Sequence, residues 1–282
     1  MHWVDYARRK AAHRVDRARI CRLANTDNHL YAGFRLKISI ITAVYNGESA
    51  IVPTLDSVAA QDHQDLEHIV IDGGSGDATV ALVHQHGLRV SKYISERDRG
   101  VYDAFNKGLR IATGDAIAFL NAGDTYLNGS VVSRMAGALT STGVDAAFAD
   151  TLIVDRRDEQ RILRRYSSRL FTPERMRFGL MPAHPSLFMR RAIYERIGEY
   201  DAAFRIAGDY ELCLRAFLRS SARYCYVHEP IVRMPDGGLS NRGWRSKLAI
   251  TREMMLACRM NAVPTSYLLL SLRFAVKAFE LW

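Results

Sequence analysis

Apolar residues along the first half of the chain fall into short β-branched runs separated by stretches of helical period. Lys37 to Val44 (KISIITAV), Leu66 to Ile71 and Val90 to Ser95 read as strands, each bounded by polar or glycine-containing turns. Ile51 to Ala60 and Thr79 to His86 carry the helical spacing between them. A polar loop after Ser95 leads into a stretch where Val101, Phe105, Leu109 and Ala112 recur as one helical stripe, while Asp103, Asn106, Lys107 and Arg110 fall mostly on other faces. Gly114 stops that helix. Ala116-Ile117-Ala118-Phe119-Leu120 then forms the wholly apolar run of a parallel strand covered on both faces. The repeated strand and helix predict an α/β fold with a Rossmann-like, doubly wound sheet.

Beyond residue 125 the pattern changes. Asp145 to Val154 and Gln160 to Tyr166 predict a hairpin across a charged turn, which makes the sheet mixed. Ser186 to Met189 and Tyr224 to Val227 predict further strands, and Asp209 to Leu218 a helix. Trp244 to Met260 and Thr265 to Leu281 are amphipathic helices broken at Pro264. In the last of these Tyr267, Leu270, Phe274, Ala278 and Leu281 oppose a stripe of Arg273, Lys277 and Glu280. Packing on the domain and lying in a bilayer interface both satisfy that pattern, and the narrow charged stripe favours the interface. Residues 1–34 form a basic N-terminal appendage with a thin apolar stripe (Trp3, Ala7, Ala11, Val15, Ala18), for which a docked helix and a mobile arm are both open.

Composition narrows the class. A chain of 282 residues, 48% hydrophobic and 24% charged, is long enough for a substantial core and ordinary for a soluble protein. Cys21, Cys213, Cys225 and Cys258 lie at neither metal-ligand nor redox spacing, which favours a reducing cytoplasm. The net charge of +9 is concentrated in three segments: seven basic against two acidic residues in 1–23, eight against three in 156–177, and seven against two in 240–282. The rest of the chain is net acidic, so nucleic acid is not an expected partner. Basic patches at the periphery suit an anionic membrane surface. Neither a signal peptide nor a transmembrane span is visible, so the expected location is cytoplasmic, peripheral on the inner face of the cell membrane.

The chemistry gathers at strand ends. Asn121-Ala122-Gly123-Asp124 follows the strand at 116–120 at its carboxyl end, the edge where open α/β sheets bind ligands. A carboxylate on a glycine-containing loop there suits a hard divalent cation, Mn²⁺ or Mg²⁺, that bridges to phosphate. The loop Asp72-Gly73-Gly74-Ser75-Gly76-Asp77 lacks the dinucleotide fingerprint, which sets an NAD-dependent oxidoreductase aside. His184 is held between Pro182 and Pro185 and is open to two roles, lining the active site or shaping a turn.

The run from Glu96 to Gly108 (ERDRGVYDAFNKG), with Ala112-Thr113-Gly114-Asp115 and Phe119 to Asp124 after it, resembles the family 2 glycosyltransferases of bacterial exopolysaccharide synthesis. The likeness extends from about Lys37 to about Ser240. It implies a GT-A fold over 35–240, with a nucleotide-sugar half (35–125) and an acceptor half (126–240); the C-terminal helices at 241–282 lie beyond it, and their charge and amphipathicity are what suit a membrane surface. One departure stands out: the family's metal motif usually has two aspartates around one residue, whereas here Asn121 and Gly123 flank Ala122, leaving Asp124 as the only carboxylate. By the same resemblance Asp72 accepts from the nucleotide base, with Thr42 and Tyr45 in the same pocket; a turn-forming aspartate is the competing account of Asp72. Arg97, Asp98, Arg99, Lys107 and Asn121 complete the donor side.

Gly208-Asp209-Tyr210-Glu211-Leu212-Cys213 resembles the family's catalytic segment, with the base on Asp209, Gly208 where an acidic residue is common, and Glu211 beside the acceptor. A helix-capping aspartate is the other reading of Asp209. The implied reaction is inverting transfer from a nucleotide-sugar to a saccharide acceptor, and the basic, amphipathic C-terminal helices suit an acceptor carried on a polyprenyl diphosphate. The rivals are a sugar nucleotidyltransferase, for which the glycine- and arginine-rich loop after the first strand is missing, and a nucleotide-sugar binding protein, which has no need of Asp209.

Overall fold

The computed structural model describes residues 18–21, 36–237 and 244–279. Of the N-terminal appendage only the strand β1 (Ala18–Cys21) falls among these; the stripe from Trp3 to Val15 lies outside the described residues. The first half then runs β2 (Ile38–Val44), α1 (Ile51–Ala59), β3 (Leu66–Asp72), α2 (Thr79–His86), β4 (Val90–Ser95), α3 (Val101–Ile111) and β5 (Ala116–Phe119). The second half holds β6 (Thr125–Tyr126), α4 (Val131–Thr142), β7 (Ala146–Val154), β8 (Ile162–Tyr166), β9 (Phe188–Arg190) and α5 (Arg191–Ile197). It continues with α6 (Gly208–Cys213), β10 (Tyr224–Pro235), α7 (Trp244–Met260) and α8 (Tyr267–Phe279).

All the described strands join one mixed sheet in the order β1-β10-β7-β9-β5-β2-β3-β4, with β6 added to β10 and β8 to β7. β2 pairs in parallel with β3 and β5, and β10 in parallel with β7, so each half has its own parallel block. β9 lies between the blocks, antiparallel to both β5 and β7. The apolar runs bury both faces: Ile38 and Ile40 of β2 pack on the α4 side, Ile41 and Ala43 on the α3 side. At the far edge from the ligand-binding loops, burial works against the Glu67 carboxylate. Hydrogen bonds from Lys92, Ser39 and Thr113 outweigh it and hold the group ionised, down to about 2.

Three elements differ from their sequence pattern. β10 continues to Pro235, well past the apolar run, with register shifts around Pro230, which has no N–H to give the ladder. After α6 the chain widens into a π-helical turn, Leu214–Arg219, instead of continuing as one α-helix. The C-terminal helices are docked on the domain rather than held off it. α7 buries Met254, Met255, Ala257 and Cys258, and α8 buries Leu270, all in the cluster that also contains α3 and α6. Arg273, expected on the charged stripe, is only 3% exposed and donates to the Thr251 hydroxyl at 2.8 Å. The opposite side of the pair still exposes Leu248, Leu256, Met260, Tyr267, Leu268 and Leu272.

Candidate active site

Two loops leave the carboxyl ends of β2 and β3 and are sewn together. Asn46, in left-handed backbone (φ 47°), donates its N–H to Ser75 Oγ at 2.8 Å and accepts from the Gly76 N–H at 2.9 Å. Asp72 is fully buried and accepts from the Ser75 N–H at 3.1 Å, the Gly74 N–H at 3.2 Å and the Ser95 hydroxyl at 2.6 Å. Its oxygens are committed to the turn, the structural account of this residue. Gly73 beside it lets two other side chains close in, since a Cβ there would lie 2.5 Å from Asp98 Oδ2 and 3.3 Å from the Tyr45 ring. Tyr45, 66% exposed, thus offers a flat aromatic face next to a carboxylate, a combination suited to a nucleoside. Arg97 and Arg99 are exposed on the adjoining loop.

Two donor-side residues serve the frame instead. The Thr42 hydroxyl is buried against His68 Nε2 at 3.0 Å and does not reach the cleft. Lys107 pairs with Glu96 at 3.0 Å and donates to the Arg97 carbonyl at 2.8 Å, so it braces the loop that carries Arg97.

The Asp124 loop has the character of a cation site. Asp124 is 6% exposed, and burial pushes its carboxyl up to about 8, with the Asn121 backbone pulling the other way. Asn121 Oδ1 and the Tyr126 hydroxyl are buried without a hydrogen-bond partner, and the Asp124 charge acts on Tyr126. The Thr54 hydroxyl fixes the loop from below, donating to the Asp124 carbonyl at 2.9 Å and accepting from the Gly123 N–H at 2.9 Å. A buried carboxylate with an unpartnered amide oxygen in the same loop fits a hard, oxygen-seeking ion. No cluster of three or more His, Cys, Asp or Glu side chains with metal-holding geometry occurs among the described residues, so such an ion would complete its shell with substrate oxygens and water.

Asp209 is the second residue of α6 and partly exposed. It does not cap the helix: Ala207 holds that position with no side-chain cap. Oδ1 accepts from the Tyr210 N–H at 2.7 Å and faces the Tyr102 hydroxyl at 3.4 Å. Burial raises the carboxyl to about 6, against the pull of those hydrogen bonds. A carboxylate titrating there accepts a proton near neutrality more readily than an ordinary aspartate.

The two expected acceptor-side residues lie elsewhere. His184 sits in the aromatic core, stacked on Phe105 and Phe119 and bonded through Nε2 to the Tyr200 hydroxyl at 2.8 Å. Burial lowers it to about 4, so it is neutral. Glu211 is buried in an ion pair with Arg215 at 2.7 Å and accepts from Asn261 at 3.1 Å.

Sequence reasoning missed the residues that join the halves. α3 buries Tyr102 and Asn106 along with Phe105. Asn106 holds both backbone groups of Tyr200, accepting its N–H at 2.9 Å and donating to its carbonyl at 2.8 Å. Tyr102 stacks on the Tyr200 ring at 5.5 Å and donates to the Ile206 carbonyl at 2.6 Å. The signal was present in the i,i+4 spacing of Tyr102 and Asn106 on one helix face.

Residues 39–198 of this arrangement match the model of glycosyl transferase family 2. The chain belongs to that family. A PGL/p-HBAD biosynthesis glycosyltransferase of Mycobacterium tuberculosis is 28% identical over 211 residues, covering 72% of this chain and 78% of the relative. An uncharacterized glycosyltransferase of the same species is 35% identical over 185 residues, covering 64% and 69%. Among solved structures, M. tuberculosis glucosyl-3-phosphoglycerate synthase in complex with Mn²⁺, UDP and glucosyl-3-phosphoglycerate superposes with a TM-score of 0.61 at 20% identity, covering 88% of each chain. This family 2 glycosyltransferase therefore has the GT-A fold; among its described residues no helix is long and apolar enough to cross a membrane.

Proposed function

We propose that the protein is a divalent-metal-dependent, inverting glycosyltransferase that moves a sugar from a nucleoside-diphosphate sugar to a saccharide acceptor carried on a polyprenyl diphosphate. Bacterial surface or exopolysaccharide synthesis is the setting such an acceptor implies. The observation that carries this reading is the Asp124 loop, whose buried carboxylate and unpartnered Asn121 oxygen stand at the carboxyl edge of β5. Asp124 and Asn121 would hold Mn²⁺ or Mg²⁺, which when bound supplies Lewis-acid relief of charge on the departing diphosphate. Tyr45 and Asp98 receive the nucleoside, and Arg97 and Arg99 add positive charge at the loop beside it. Asp209 takes the proton of the acceptor hydroxyl as that oxygen bonds to the anomeric carbon and the bond to the diphosphate breaks. One such displacement inverts the anomeric centre.

The acceptor's lipid is supported by the outer side of α7 and α8, where Leu248, Leu256, Met260, Leu268 and Leu272 are exposed beside Lys247, Arg252 and Arg259. Apolar insertion flanked by basic residues fits an anionic cytoplasmic leaflet. Incubating the protein with Mn²⁺ and UDP-, GDP- and dTDP-sugars tests the reaction: free nucleoside diphosphate is expected. Nucleoside monophosphate with pyrophosphate would make it a nucleotidyltransferase, and binding without turnover a nucleotide-sugar binding protein.

A further inference from the structure

The turn that leads into α6 is held from outside by a residue more than forty positions later in the chain. Glu253, on the inner side of α7, accepts the N–H of Ile206 at 2.9 Å and of Ala207 at 2.8 Å through Oε2, and that of Arg205 at 3.1 Å through Oε1. These three consecutive amides precede Gly208 and Asp209, and no side chain of their own caps the helix. The turn's carbonyl side is held as well, because the Ile206 carbonyl accepts the Tyr102 hydroxyl.

We propose that Glu253 is a positioning residue for the catalytic base: its carboxylate, delivered by the C-terminal helix α7, fixes the backbone that presents Asp209 to the acceptor hydroxyl. This rests on the reading of Asp209 as the base. Three charge-assisted hydrogen bonds converge on this one carboxylate, so the turn keeps them only while α7 is docked. α7 is anchored there by Met254 and Met255 beside Glu253 and by Ala257 and Cys258 one turn on, all buried. A second consequence is electrostatic. The titratable groups that face Asp209 are Tyr102 from α3, Tyr200 from the preceding loop, Cys213 on its own helix and Glu253 from α7. Glu253 is the one carboxylate among them, and its like charge adds to the burial that raises Asp209.

Hydrogen exchange on the full chain, with Glu253→Ala and Glu253→Gln, tests the clasp without any ligand. Exchange over 205–213 should quicken about tenfold or more in Glu253→Ala while β2, β3 and β5 keep their protection. Steady-state rates are then measured with whichever of the UDP-, GDP- and dTDP-sugars the wild type turns over. Glu253→Ala should lose roughly 10- to 100-fold in kcat with the donor KM unchanged. Glu253→Gln, which keeps an acceptor oxygen but no charge, should lose less and move the acidic limb of kcat to lower pH. Unchanged exchange at 205–213, or unchanged kcat and pH profile while Asp209→Asn is inactive, would overturn the proposal and leave the transferase reading standing. Full activity in Asp209→Asn would instead remove the base reading, and the role of Glu253 with it.

Discussion

Replacing Gly208 with alanine puts a methyl group where the ring of Tyr102 already lies. A Cβ at that position comes within 2.8 Å of Tyr102 Cε2 and 2.9 Å of Cδ2 and Cζ, closer than real side chains approach. Gly208 opens a helix outside the left-handed region, so alanine itself is unstrained there and gains at most about 1 kcal/mol of helix preference. The ring has no room to move aside. It is 4% exposed, stacked on Tyr200, and tied through its hydroxyl to the Ile206 carbonyl. Overpacking of this kind costs about 1–3 kcal/mol, which exceeds the preference gained. The expected net loss is about 1 kcal/mol, seen calorimetrically as a Tm lower by roughly 2–4 °C for a chain of this size. The kinetic effect should be larger, since the displaced hydroxyl gives up its contact with Asp209; kcat should fall about tenfold. A double-mutant cycle with Tyr102→Leu isolates the contact, and a coupling of at least about 0.5 kcal/mol is expected. A raised Tm with intact kcat, or strict additivity, would refute the reasoning.

Asp209→Asn should bind donor normally and turn over about 10²- to 10⁴-fold more slowly. Because the base works only when ionised and its carboxyl is raised to about 6, wild-type kcat should fall as pH drops below about 6; a flat profile to pH 4.5 would contradict it. Asp124→Ala should keep its fold and lose Mn²⁺-dependent donor affinity by titration calorimetry, whereas chelator-insensitive binding would count against the cation site. Glu67 has a folded-state carboxyl depressed from 4.5 to about 2, so its stabilisation is complete above roughly pH 5 and disappears as pH falls through about 2. Urea unfolding should accordingly show Glu67→Gln less stable by about 2–3 kcal/mol at pH 7 and nearly equal to wild type at pH 2. Leu268 and Leu272 are 76% and 47% exposed, so glutamate at both should spare the fold and weaken sedimentation with anionic vesicles; equal partition of the wild type onto neutral vesicles would make that face ordinary surface.

Much of the donor half was readable from pattern alone. β2, β3 and β5 are β-branched or apolar runs whose neighbours on both faces demand that composition, and the loops at their ends follow from asparagine, glycine and aspartate. β6 and β9 were harder, because strands of two and three residues are defined by the partners they meet rather than by any period of their own. The C-terminal helices show the limit of amphipathicity: the stripe beside Arg273 favours a bilayer helix in the sequence, whereas burial of Arg273 against Thr251 and of Leu270 in the core docks one side of α8 on the domain. Motif placement was enough to single out Asp124 and Asp209. Their environments were not, since the unpartnered Asn121 oxygen and the like charge of Glu253 arise from packing between distant segments. Thr42, His184 and Glu211 illustrate the converse, polar residues in motif positions whose hydrogen bonds are all turned inward.

The strand β9 carries a consequence for how such enzymes diversify. Its three residues are the seam between two blocks: it pairs with Ala116 to Ala118 on one side and with Ala146 and Ala147 on the other. The register of β2, β3, β4 and β5 is set by their own longer ladders rather than by that seam. Segments beyond β9 are therefore expected to vary without shifting that register, provided they keep the cover they give β2 and β5. What must be carried across the graft is a partner for α3, an aromatic ring stacked on Tyr102 and a backbone pair for Asn106, together with the apolar cover that α4 gives Ile38 and Ile40; a chimera that preserves Tyr200 and that cover should inherit a working donor half.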